Sequence, residues 1–220
     1  MELFFKEFGS SFLWSSLGST YMYVIGLFGA VCIAISIERF YFIMVKSNVN
    51  ADKFMAEIRK LVAGGNMDRA IALCDKGKDK ALPYVVMKAL KRAIESEALD
   101  FRAIQNAVDE ATLEIIPKLQ KRTPYLSMLA NVATLTGLMG TIFGLIVAFA
   151  SVGSEGIPEA EKNRFLAAGI SAAMQTTIWG LTVAIPTLIV YTYLVSQTSR
   201  IIDEMDEHLV KLINLITGNR

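Results

Sequence analysis

Residues 123–154, TPYLSMLANVATLTGLMGTIFGLIVAFASVGS, and residues 165–199, FLAAGISAAMQTTIWGLTVAIPTLIVYTYLVSQTS, contain no Asp, Glu, Lys or Arg. Each run is longer than the roughly 20 apolar residues that carry an α-helix across a hydrocarbon core about 30 Å thick. A spanning backbone has to close its own hydrogen bonds, so helices are the form such runs take. They are more than greasy anchors. Ser127, Asn131, Thr134, Thr136, Thr141, Gln175, Thr176, Thr177 and Thr182 punctuate them, among many Gly and Ala. Small residues and hydroxyls inside a membrane mark close helix contact or a polar path.

Outward from this pair, the chain reads as an all-α integral membrane protein with three transmembrane helices. Two of them are long and extend into a cytoplasmic helical domain. Residues 1–19 form an amphipathic helix at the periplasmic interface, with Phe4, Phe5, Phe8, Phe12 and Trp14 on its apolar side. The first span is 20–45, the polar domain 46–122, the second span 123–153, a periplasmic hairpin 154–164, the third span 165–198 and an amphipathic cytoplasmic tail 199–220. Glu38-Arg39, near the end of the first span, reads as an ion pair snorkelling at the interface. Contact with another subunit is the alternative.

In the polar domain Asn50-Ala-Asp52 caps a helix over Lys53–Ala63, and Gly64-Gly65-Asn66 stops it. A second helix follows over Met67–Lys76. Pro83 opens a third, with Val86, Leu90 and Ile94 on one face. From Asp100 the pattern continues through Ala103, Val108, Leu113, Ile116 and Leu119. It runs into the second span without a break except a bend at Pro117 and Pro124. In the tail Ile201, Ile202, Met205, Leu209, Leu212, Ile213 and Ile216 make an apolar stripe that calls for partner helices.

Charge sets the orientation. The net charge is only +1, but residues 46–122 carry fifteen of the 22 Lys and Arg residues. The positive-inside rule then places the large loop and the tail in the cytoplasm, with the N-terminus and the hairpin outside. The N-terminus lacks the basic start and small-residue cleavage site of a signal peptide and is read as retained. Cys32 lies in a span and Cys74 in what reads as a polar loop, so no disulfide is expected. His208 is the one histidine, which leaves no metal-ligand set. No phosphate loop, triad or Walker pattern is present, and neither a cofactor nor a nucleic-acid partner is expected.

The chemistry therefore sits inside the membrane. Ser127, Asn131, Thr134, Leu138, Thr141, Leu145 and Ala148 recur at helical spacing and share one face of the second span. Ile170, Ala173, Thr177, Gly180, Ala184 and Tyr191 share a face of the third. Pro186 frees the carbonyl of Thr182. Any one of these threonines could simply bond the carbonyl four residues back; two aligned stripes suggest a surface facing something polar. Neither long span contains an acid, a base or a histidine. Hydroxyls alone do not bind and release protons at neutral pH, so a titrating carboxylate has to come from another chain.

At these residues the sequence resembles the ExbB/TolQ/MotA family of ion-driven motor subunits. Gly137-Leu-Met-Gly140-Thr141-Ile-Phe-Gly144 is similar to the family's glycine-rich run in the second span. Gly169-Ile170, Thr177, Gly180-Leu181 and Ala184-Ile185-Pro186 are similar to its third-span pattern. Ile37-Glu38-Arg39 is also typical. The three-span layout is that of ExbB and TolQ rather than the four-span MotA. The resemblance implies a bacterial inner-membrane subunit that forms a homopentamer. The ring would enclose two copies of a single-span ExbD- or TolR-like partner supplying an aspartate. Ion flow past that aspartate would drive mechanical work in the periplasm, such as energising outer-membrane transport.

On this resemblance Thr141, Thr177, Thr176 and Thr134 are the ion-pathway candidates. Gly137, Gly140, Ala173, Gly180, Ala184 and Pro186 are the candidates for contact with the partner helix. One departure is Ala172, where ExbB- and TolQ-like chains usually carry Glu. It weakens assignment to the iron-uptake or envelope-integrity branch. Protons are favoured over sodium as the ion. The competing reading is a non-conducting scaffold whose hydroxyls only bond between helices. An enzyme would need a nucleophile or acid–base pair that these spans lack.

Overall fold

The computed structural model describes residues 19–47, 49–95, 100–153 and 158–218. The expected interfacial helix at the N-terminus and the hairpin tip, 154–157, fall outside them. Every regular element among the described residues is helical: α1 (Ser19–Tyr41) continuing as a π-helical stretch (Phe42–Ser47), α2 (Ala51–Ala63), α3 (Met67–Asp75), α4 (Ala81–Glu95), α5 (Phe101–Gln120), α6 (Thr123–Gly153) and α7 (Glu159–Thr217). Three stretches are long and apolar enough to cross a membrane: Thr20–Val45, the apolar part of Phe101–Gly153, and the apolar part of Glu159–Thr217. The helix of the third span starts at Glu159, earlier than the sequence suggested, because acids suit a first helical turn. It continues without interruption into the tail.

The chain divides into two compact units, one holding α1 to Ile37 with residues 123–192, the other residues 38–122 and those from Tyr193 on. The first unit is apolar outside as well as inside. Leu27 is 62 % exposed and Ile189 65 %, and Ile33, Ile142 and Phe149 also face outward. Leaving such side chains in water is costly at about 25 cal/mol per Å², and a hydrocarbon solvent removes that cost. Within this unit α1 packs on α7 through Gly29, where an added Cβ would meet Val183 Cγ2 at 3.2 Å. It meets α6 through Tyr21 and Phe143, with ring centroids 5.7 Å apart.

The second unit is a helical bundle with its own core. Met55, Ile58, Leu90, Ile104, Leu119, Leu209 and Leu212 are fully enclosed. The tail stripe predicted to want partner helices finds them here, in α2–α5 of the same chain. Local signals set the helix ends. Asn50 Oδ1 accepts from Lys53 N at 3.1 Å, and Asp100 Oδ1 accepts from Arg102 N at 2.9 Å. Gly65 adopts φ 73°, which a side chain would resist, and ends α2. Pro83 is the third residue of α4 rather than its opener, a first-turn position where its missing N–H costs no helical bond.

Two predicted faces hold only in part: Val86 and Leu90 of α4 and Val108 and Leu119 of α5 are buried as expected, but other members are not. On α5 the buried residues are Ile104, Val108, Ala111, Ile115 and Leu119, while Leu113 points outward; Ile94 of α4 is also exposed. Packing takes the small Ala111 in place of the bulkier Leu113. Nearby, Tyr84 of α4 donates to Glu114 Oε2 of α5 at 2.6 Å, and Lys118 donates to Oε1 at 2.7 Å. The Lys118 bond, then the Tyr84 bond, holds the Glu114 carboxyl below the usual carboxylate range.

Glu38 and Arg39 do not pair with each other as expected. Glu38 accepts from Arg122 at 2.6 and 2.7 Å through both carboxylate oxygens. Arg39 is buried and donates to the carbonyls of Leu119 and Lys118, the last turn of α5. A cation there meets the negative end of the helix dipole and satisfies carbonyls that the helix itself leaves open. The expected continuous helix is also broken. Lys121 N bonds Pro117 O at 2.9 Å, Arg122 turns to φ 66°, and α6 starts at Thr123.

Cys74 is not in a loop. It lies in α3, wholly enclosed by the core, and burial pushes its thiol up to about 12. A thiol that is both covered and protonated is inert. The folded chain should therefore leave Cys74 unlabelled by a water-soluble maleimide at pH 8, while denaturant exposes it to complete labelling. Peptide mass spectrometry reads the site, and rapid labelling without denaturant would show that the bundle is not closed.

Candidate functional site

The face of α6 that is buried is small: Leu126, Ala130, Ala133, Gly137, Gly140, Gly144 and Ala148. It meets Gly169, Ala173, Thr176 and Gly180 of α7. The contacts run antiparallel. A Cβ on Gly180 would lie 2.8 Å from Ala133 O. One on Gly137 would lie 2.9 Å from Thr176 O, and one on Gly140 2.7 Å from Thr176 Cβ. Farther along, a Cβ on Gly144 would lie 3.0 Å from Ala173 Cβ, and one on Gly169 2.5 Å from Ala148 Cβ. Missing side chains let the two backbones touch, which is how membrane helices gain packing without a hydrophobic drive.

This face differs from the stripe expected on α6. Thr134 and Thr141 flank the seam instead of lining it, and Asn131 and Leu138 are exposed. Gly137, Gly140, Ala173 and Gly180, expected to meet a partner's helix, are occupied by their own neighbouring span. Ala184 is buried too, whereas Pro186 is exposed. The sequence reading missed Ala133, and it placed Ala148 on the hydroxyl stripe and gave Gly169 no contact. The signal was present as small residues every three or four positions, but hydroxyls drew attention away from it.

Polar chemistry converges on one carbonyl. Gly137 O takes the helical N–H of Thr141 by ordinary helix geometry. Thr176 Oγ1 lies 3.2 Å from it across the seam and Thr177 Oγ1 3.4 Å. Thr176 is buried, and its shorter bond, 2.8 Å, goes to Ala173 O of its own helix. Thr141 donates to Leu138 O at 2.5 Å, Thr134 to Ala130 O at 3.1 Å and Thr136 to Val132 O at 2.7 Å. Thr182, Thr187 and Thr192 likewise donate to carbonyls four residues back.

Hydroxyl protons at these positions are thus already engaged with backbone carbonyls. What each hydroxyl still offers is oxygen lone pairs. Such a surface can accept a hydrogen bond or solvate a cation, and it has no group that stores a proton at neutral pH. Among the described residues no cluster of His, Cys, Asp and Glu could hold a metal ion.

The seam predicts a graded response to added methyl groups. Gly140→Ala and Gly169→Ala force contacts under 3.0 Å on Thr176 and Ala148. Each should destabilise the helix pair by about 1–3 kcal/mol. Gly153→Ala, with nothing within 4 Å, should change stability by less than about 0.5 kcal/mol. Unfolding of the detergent-solubilised variants by SDS titration separates the two classes.

Comparison with known proteins places this geometry. Residues 77–207 match the profile of the MotA/TolQ/ExbB proton channel family. The chain is 31 % identical over 163 residues to the putative biopolymer transport protein ExbB-like 3 of Synechocystis sp., covering 74 % of each chain. It is 32 % identical over 131 residues to the biopolymer transport protein ExbB of Aquifex aeolicus, 59 % of this chain and 84 % of that one. A putative ExbB homolog of Methanothermobacter thermautotrophicus is 25 % identical over 203 residues, 91 % of this chain and 67 % of its own. The matched profile covers more than half of the sequence, including both spans of the glycine seam, and the chain belongs to the MotA/TolQ/ExbB proton channel family.

Proposed function

We propose that this chain is the multi-span subunit of a proton-driven motor in the bacterial inner membrane. Five copies form a ring around the single transmembrane helices of two ExbD- or TolR-like partner chains. The partner's aspartate carries the proton, and Thr141, Thr177, Thr176 and Thr134 solvate it during transfer. The N-terminus is periplasmic, the bundle and tail are cytoplasmic, and the work is delivered to the periplasm, where it energises transport across the outer membrane. The observation that carries this reading is the meeting of Thr176 and Thr177 at Gly137 O, beside Thr141, in spans with no titratable acid, base or histidine. A carboxyl group buried in hydrocarbon without hydrogen-bond partners is costly, and hydroxyl lone pairs that accept from its protonated form lower that cost. The family's description as proton channels favours H+ over Na+.

The test separates this reading from a scaffold. The chain is co-expressed with its single-span partner and reconstituted, and proton flux is followed with a pH-sensitive dye. Thr141→Val and Thr177→Val together should cut flux at least about tenfold, the scale of one lost charge-assisted contact. Oligomer mass by native mass spectrometry should stay the same. Thr192→Val, an exposed hydroxyl bonded only to its own helix, should leave flux intact. Normal flux in the double variant would refute the assignment, and loss of assembly without a specific loss of flux would favour the scaffold. Flux that persists without sodium settles the ion.

A further inference from the structure

In the second unit a cavity of about 680 Å³ opens between the start of α2 and the part of α7 beyond the uncharged run. That size suits a bound small molecule or headgroup. Its walls come from where two spans end. Met44 is the next-to-last residue of the first apolar stretch, and Gln197 and Arg200 bracket the end of the third. Residues at span ends sit at the depth of lipid headgroups. Met44, Val49, Ala51 and Ile201 give the cavity an apolar edge, while the rest of the lining is polar.

That polar lining carries both signs. Lys80 and Arg200 are cationic, and Asp52, Glu204 and Glu207 are carboxylates. Several are already engaged. Arg200 pairs with Glu204 at 2.8 Å, and Glu207 pairs with Lys211. Lys80 forms no ion pair among the described residues. Asp52, with a 95 % exposed side chain, pairs among the described residues only with His208, at 3.5 Å. The cavity therefore holds one uncommitted ammonium and one weakly held carboxylate. We propose that it binds the headgroup of an aminophospholipid, with the phosphate on Lys80 and the headgroup ammonium on Asp52. A purely anionic headgroup would satisfy Lys80 but leave Asp52 with no partner beyond His208. A zwitterion meets both signs, and the glycerol and upper acyl chain cover the apolar edge.

The full chain purified in detergent is titrated with dioleoyl-phosphatidylethanolamine, with the matching phosphatidylglycerol and with free O-phosphoethanolamine, and retention is read by native mass spectrometry. The ethanolamine lipid should bind about tenfold more tightly than either other ligand, the worth of one charge-assisted hydrogen bond. Lys80→Ala should lower its affinity about tenfold, and Lys80→Arg should keep most of it. Asp52→Asn, on a side chain with almost no packing to lose, should abolish the preference over phosphatidylglycerol. Equal binding of the two lipids, or an unchanged affinity in Lys80→Ala, overturns the proposal. Free O-phosphoethanolamine binding as tightly as the lipid overturns it as well, since the site would then serve a soluble ligand.

Discussion

Close backbone contact between α6 and α7 is the constraint on which the membrane unit depends. Lipid tails are as apolar as leucine, so two spanning helices gain nothing by hiding leucines from them. What holds them is van der Waals contact at short range and the few polar bonds that cross. Gly137, Gly140, Gly144, Gly169 and Gly180 supply the short range, with Ala133, Ala148 and Ala173 between them. The same closeness brings Thr176 and Thr177 within reach of Gly137 O. Packing and polar chemistry are thus one feature: a methyl group on Gly137 or Gly140 would disturb both.

A second constraint acts where charged sequence begins. Arg39 is buried, and a buried guanidinium needs acceptors. It finds them in the carbonyls that α5 leaves open at its last turn. Beside it, Arg122 holds Glu38 from a backbone conformation, φ 66°, that few side chains adopt readily. The end of the first apolar stretch is therefore fastened to the end of α5 by two independent contacts. Each joins residues about 80 positions apart in the sequence.

Much of this was legible beforehand, and the exceptions have a common cause. Charge-free length marked the spans, and the cap at Asn50 and the resumed pattern from Asp100 marked helix starts, because these signals are local. The tail stripe was legible for the same reason. Partners distant in the chain were not. Nothing in the neighbourhood of Glu38-Arg39 reveals that each looks to the region around residue 120, and adjacency made a mutual pair the natural reading. Cys74 and Leu113 failed differently. The helix over Met67–Lys76 was read, but Cys74 within it was not assigned to its buried face, and on α5 the packing chose Ala111 over a bulkier neighbour. The polar residues of the spans were legible by type and not by face. Thr177 reaches Gly137 O and Thr141 flanks the seam, while the glycines beside them pack against their own chain's other span.

Proton accounting limits what the hydroxyl-rich spans could do in a motor. A threonine in a helix gives its one proton to a carbonyl of the turn before, as Thr134, Thr136, Thr182, Thr187 and Thr192 do. It is then an acceptor at fixed position. Opposite a protonated carboxyl it receives a hydrogen bond; opposite a carboxylate it has to rotate and give up its backbone bond to donate. The two states of a partner's aspartate would therefore differ in what they ask of Thr141 and Thr177. The protonated form fits the spans as they stand, and the ionised form does not. A carboxyl passing this surface would travel protonated and discharge where water can take over the solvation. The asymmetry needs no titratable residue in this chain, and it follows from hydroxyls whose protons are already held by backbone carbonyls.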